Sequence, residues 1–190
     1  MNQTNSYSIS HTNPEAKLDV TNSIISVLQE FSYQKIVCVC IGTDRSTGDS
    51  LGPLVGTFLS QHESEHFAVL GTLEEPVHAL NLPEKISYLQ RFHPQSLIIA
   101  IDACLGKLNS VGSIQVGIGP IRPGAGVNKQ LPEVGQIHVT GIVNVAGFME
   151  YMVLQNTRLS TVMRMAQMIA DSIVNATQLQ TVQGKWPQEI

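Results

Sequence analysis

The chain has 190 residues, 43% of them hydrophobic and 14% charged, with a formal net charge of -4. That length suits one domain, and that composition supports a substantial core and excludes disorder over most of the chain. With no basic cluster there is no electrostatic footprint for nucleic acid or an anionic membrane, and no run approaches the roughly 18 apolar residues of a bilayer span.

Residues 1–15 are polar and read as a disordered arm, without the basic patch and apolar stretch of a signal peptide. Residues 16–178 read as a single domain and 179–190 as a flexible tail. Within 18–31, Ile24, Val27, Leu28 and Phe31 recur at helical spacing. A continuous β-branched run at 35–41 predicts a buried strand, followed by a polar loop at 42–48 and a helix at 51–62. A second strand at 67–73 leads into the acidic turn Glu74-Glu75-Pro76 and a helix at 83–92, with Pro83 in its first turn. The run 96–101 is the clearest buried strand, and it ends on Asp102. A strand at 113–118, a Gly/Pro-bearing loop at 119–135 and a strand at 136–142 come next. Helices at 145–155 and 159–176 close the domain, and their Met149, Met152, Met163, Met165 and Met168 read as packing residues, with a partner surface or a homo-oligomer interface as the alternative.

Alternating strands and helices point to an α/β fold: a three-layer sandwich, phosphorylase/hydrolase-like, with a mostly parallel sheet and helices on both faces. In such sheets the chemistry sits beyond the carboxyl ends of the strands. Asp49 follows the first parallel strand, Glu74 and Glu75 follow the second, and Asp102 ends the third. A carboxylate closing an apolar strand is costly to bury without a partner, so packing explains Asp102 least. Asp49 has a plainer alternative, a helix N-cap in Gly48-Asp49-Ser50-Leu51. The loop Gly42-Thr43-Asp44-Arg45-Ser46-Thr47-Gly48 is glycine-bounded like a phosphate loop, but it lacks the Walker ending and the dinucleotide spacing. Asp44, Glu74, Glu75 and His138 are candidate supporting residues of the cleft. Cys38, Cys40 and Cys104 read as free thiols of a reducing cytoplasm, with Cys38 and Cys40 on one strand face as core residues.

The segment from Ile41 to Pro53, with Gly42-Thr43-Asp44 and Gly48-Asp49-Ser50 at its centre, resembles the first motif of the spore germination protease superfamily. The likeness is closest to its small YyaC-type sporulation members. Three further segments agree in order: Gly71-Thr72-Leu73-Glu74-Glu75, Ile99-Ala100-Ile101-Asp102-Ala103, and Ser113-Ile114-Gln115-Val116 leading into Arg122-Pro123-Gly124-Ala125-Gly126-Val127-Asn128-Lys129. The resemblance implies that Asp49 and Asp102 are the two aspartates of an aspartate-dependent proteolysis, with Glu75 or Glu74 at an acidic position of the second motif. The hydrogenase-maturation endopeptidases are a more distant likeness. There, acidic residues at the positions of Asp49 and Asp102 join a histidine in a metal-reading cleft, and His138-Val139-Thr140-Gly141 looks like that family's His-x-Thr-Gly segment.

The reading is therefore a cytoplasmic endopeptidase acting on a protein or peptide, with no cofactor required. Two close carboxylates share one proton, so one member activates water while the other protonates the carbonyl oxygen or the leaving amine. In the metal alternative Asp49, Asp102 and His138 hold zinc or nickel and leave a position open for water. A catalytically inactive binding module on the same fold is the competing class, and a nucleotide-binding enzyme is a distant third.

Overall fold

The computed structural model describes residues 6–123 and 131–182. In chain order its elements are β1 (Ser6–Ser10), α1 (Ala16–Leu28), β2 (Lys35–Cys40), α2 (Leu51–Leu59), β3 (Phe67–Leu70), α3 (Leu82–Phe92), β4 (Ser96–Gly106), β5 (Ser113–Ile118), β6 (Ile137–Val145), α4 (Glu150–Gln155) and α5 (Leu159–Val182). The six strands form one sheet in the order β1-β5-β6-β4-β2-β3. β3, β2, β4 and β6 pair in parallel, while β5 runs antiparallel to both β1 and β6. The mostly parallel α/β architecture is thus the one the alternating sequence pattern predicts.

Each face of the sheet buries its own apolar layer. On one face α1, α2 and α5 cover Cys38, Cys40, Ile99, Ile101 and Val139, using Ile24 and Leu28, Leu51, Val55 and Leu59, and Met165, Ile169 and Ile173. On the other, Leu82 and Leu89 of α3 join Val37, Val39, Ile41, Val77, Ala100 and Val134. Residues two apart on a strand share a face, so β2 is apolar throughout because it is covered on both sides. Cys38 and Cys40 lie together in the larger core, and burial pushes the Cys38 thiol up to about 12.

Four expected boundaries shift. Ser6–Ser10, expected within a disordered arm, is a strand: Tyr7 and Ile9 pack on the larger core and the backbone pairs with β5 from Ser6↔Gly117 to Ser10↔Ser113. α5 runs to Val182 instead of ending at 176, into the expected flexible tail, because Thr177 and Gln180 are buried. β4 continues past Asp102 to Gly106 on its pairing with β6. Residues 145–149 do not begin a helix: Val145 belongs to β6, and α4 starts at Glu150 after Met149, whose φ is 56°. Of the methionines expected to pack, Met165 is buried and Met168 lies against the core, whereas Met149, Met152 and Met163 are exposed. No helix among the described residues is long and apolar enough to cross a membrane.

α2 sits very close to the sheet. A Cβ added at Gly56 would run into the Gly71 carbonyl oxygen and come within 3.3 Å of the Cys40 Cβ. Alanine is the better helix former by about 1 kcal/mol, but the obstacle is backbone and cannot rotate away. Gly56→Ala is therefore expected to destabilise the fold by about 2 kcal/mol or more in urea unfolding. A neutral or stabilising result would show that α2 can lift off the sheet freely.

Candidate active site

Two neighbouring strands part company at the carboxyl edge of the sheet. β2 ends at Cys40, opposite Ile101 of β4, and just past that pair the Ile41 amide donates to the Ile101 carbonyl (2.7 Å). The chain then leaves β2 for α2 and β3, while β4 runs on beside β6. A divergence of this kind opens the crevice in which parallel α/β sheets hold their ligands. Asp102 is the first β4 residue beyond the split, laddered to Thr140 of β6. Strand alternation puts it on the same face as Ala100 and Cys104.

Asp49 reaches the crevice from the loop after β2. The Thr43 amide donates to the Asp49 carbonyl (3.1 Å), the Gly42 amide to the Val77 carbonyl (2.8 Å) and the Gly48 amide to the Leu154 carbonyl (2.8 Å). Gly42 has φ 143°, and a Cβ there would collide with the Asp49 carbonyl oxygen, so this closure requires glycine. The N-cap of α2 is Ser50, with no side-chain cap bond, and its hydroxyl donates to the Thr47 carbonyl (2.7 Å). The capping explanation for Asp49 thus gives way to placement in the cleft.

Asp49 and Asp102 line one cavity of about 550 Å³, together with His78, Cys104, Thr140 and apolar walls that include Ile121, Leu131 and Leu154. Burial lifts the Asp49 carboxyl to about 6, with the Thr43 amide working against the rise. Asp102 is raised well above the ordinary carboxylate range, first by burial and then by the charge on Asp49. The Ala103 amide, donating to Asp102 Oδ1 at 2.8 Å, pulls the other way. Beside them the Cys104 thiol is pushed up to about 11, chiefly by burial; a hydrogen bond with Thr140 lowers it and the Asp102 charge raises it.

The other expected site residues lie elsewhere. Glu74 and Glu75 are exposed on a turn closed by the Thr72 amide on the Glu75 carbonyl (3.1 Å). The chain turns inward only at the Ile41↔Val77 bridge, so His78 and Ala79 reach the cavity in their place. Asp44 is exposed, accepting from the Thr43 hydroxyl at 3.5 Å. His138 sits one pleat too early: it ladders to Ala100, and its Nδ1–H donates to the Gly119 carbonyl (3.0 Å). Consequently the set Asp49, Asp102 and His138 does not assemble. Among the described residues no group of three or more His, Cys, Asp and Glu side chains is placed to hold a metal ion, and the donor set does not fit the three-ligand zinc or nickel site.

Sequence reasoning missed His78, Cys104 and Thr140. Strand parity could have found two of them, since Cys104 lies two residues beyond Asp102 and Thr140 two beyond His138. His78 follows an irregular turn and carries no periodic signal. Of the Arg122–Lys129 motif, residues 124–130 lie outside the described residues; Arg122 is exposed and pairs with Glu133 at 2.7 Å.

Comparison with known proteins agrees with this architecture. The chain is 54% identical over 165 residues to the Bacillus subtilis (strain 168) protein named "Uncharacterized protein YyaC", covering 87% of this chain and 80% of the relative. Its fold is similar to the crystal structure of the NiFe hydrogenase maturation protease HycI from Thermococcus kodakarensis KOD1. That match has a TM-score of 0.52 and 16% identity, over 80% of this chain and 99% of the other. With residues 8–172 matching, the chain belongs to the family described as Protein of unknown function (DUF1256).

Proposed function

We propose that this chain is a sporulation-type endopeptidase of the cytoplasm that hydrolyses a peptide bond of a protein substrate with Asp49 and Asp102. The observation that carries this reading is the meeting of two raised carboxyls in one mostly apolar cavity at the strand divergence. The fold likeness to a maturation protease supports the peptidase class. The motif resemblance to the germination protease superfamily supports the finer assignment. Two carboxyls this close share a proton and titrate as a unit. The ionised member takes a proton from water as it attacks the carbonyl carbon, and the protonated member delivers its proton to the leaving nitrogen.

The test is cleavage of a random decapeptide library by the purified protein, read by mass spectrometry. The wild type is expected to cut, and Asp49→Asn and Asp102→Asn each to lose about 10²–10⁴-fold in rate. Full activity in both variants removes the pair from the mechanism, and a wild type that cuts nothing makes the fold a binding module. The rate is expected to rise as pH passes about 6, where Asp49 ionises, and to fall again when the second proton leaves. A pH–rate profile without the acid limb would contradict proton sharing.

Stability follows the same protons. Both folded values lie above the 3.8 of an ordinary aspartate, so the favourable contribution is fully present below about pH 4 and is lost as pH rises through about 6 and beyond. Asp49→Asn stays neutral throughout. Relative to wild type it is expected to gain about 2 kcal/mol of stability between pH 4 and pH 8, after allowance for partial exposure of the carboxyl. Urea unfolding at the two pH values measures this, and a pH-independent difference would mean that Asp49 is not desolvated.

A further inference from the structure

The histidine of this cavity is His78, and we propose that its Nε2–H is the donor that receives the carbonyl oxygen of the peptide attacked at Asp49 and Asp102. The inference rests on the peptidase reading and adds to it the group that meets charge developing on oxygen.

Three observations carry it. His78 lines the same cavity as the two carboxyls. The Leu80 amide donates to His78 Nδ1 (3.3 Å), so Nδ1 is the acceptor and the neutral ring carries its proton on Nε2. The backbone beneath it is fixed on both sides. Asn81 Oδ1 accepts the His78 amide (2.8 Å), and Asn81 Nδ2 donates to the Pro76 carbonyl (3.0 Å). The amides of Asn81 and Leu82 both donate to the His78 carbonyl (3.1 and 2.9 Å). The bond from the Gly42 amide to the Val77 carbonyl then ties this segment to the loop that carries Asp49. A donor held this way needs no reorganisation when charge appears, which is what makes such groups effective.

Three other polar groups of the wall are less suited. Arg122 is engaged with Glu133 and exposed. The Ser46 hydroxyl is sealed from solvent, with no hydrogen-bond partner. Cys104 offers only a weak thiol donor.

The experiment has two arms. Long-range ¹H–¹⁵N NMR on the wild-type protein is expected to show the Nε2–H tautomer for His78, and a proton on Nδ1 overturns the proposal. Using a peptide that the wild type cleaves from the decapeptide library, His78→Ala is expected to lower kcat about 10²–10³-fold with KM little changed. His78→Gln, which restores an N–H at similar reach, is expected to recover part of that loss. A kcat within twofold of wild type in His78→Ala overturns this inference and leaves the peptidase reading standing. A loss confined to KM, or one that Gln does not relieve in a folded variant, also overturns it. A wild type that cleaves nothing overturns both.

Discussion

The site depends on one constraint in the sheet: β2 stops at Cys40 and β4 does not. Up to Ile101 the two strands are bonded neighbours. One residue later β4 has a partner on one side only, and the vacated side is the crevice. Asp102 falls at that step, where a carboxyl can be desolvated by the sheet yet still face a cavity. A strand one residue longer in β2 would put backbone where the cavity now opens. One residue of slip in β4 would turn Asp102 into the larger core.

That placement works against stability, and the surrounding structure has to absorb it. A pKa unit corresponds to about 1.4 kcal/mol, so raising Asp49 alone is worth a few kcal/mol, against roughly 5–15 kcal/mol of net stability in an ordinary domain. The offset comes from the two apolar layers, which bury helices α1, α2 and α5 on one face and α3 on the other. α2 contributes doubly. Its close seat on the sheet fixes the loop that presents Asp49, and Leu51 in its first turn is part of the larger core. The loop bonds from Gly42 and Gly48 then fasten Asp49 to the segments that carry His78 and Leu154.

The sequence made the sheet legible because parallel strands covered on both faces are continuous apolar runs, as at 35–40 and 96–101. Asp102 stood out for the same reason, as a charge at the end of such a run. β1 did not: Tyr7 and Ile9 are its two apolar residues on the buried side, and its order comes from pairing with β5 more than a hundred residues away. The acidic turn misled in a specific way. Glu74 and Glu75 sit at the expected edge, but their turn closes on itself before the chain bends inward, so His78, three residues later, reaches the cavity in their place. His138 was on the correct strand and the correct face, and missed by one pleat. Chain order identifies the edge at which a residue lies; only register identifies which side chains meet.

The pairing of β1 with β5 also bears on how the molecule reaches its native state. β4 is joined to β6 across more than thirty residues, and β1 to β5 across more than a hundred. Closing such long loops carries an entropic cost before the contacts they allow are made, so this topology folds slowly for its size. The two carboxyls come from segments that meet only when β2 and β4 are zipped side by side. Until then each is solvated separately and the apolar strands β2 and β4 lack their covering helices. The interval in which the chain is most prone to sticky association is therefore the one that precedes assembly of the cavity.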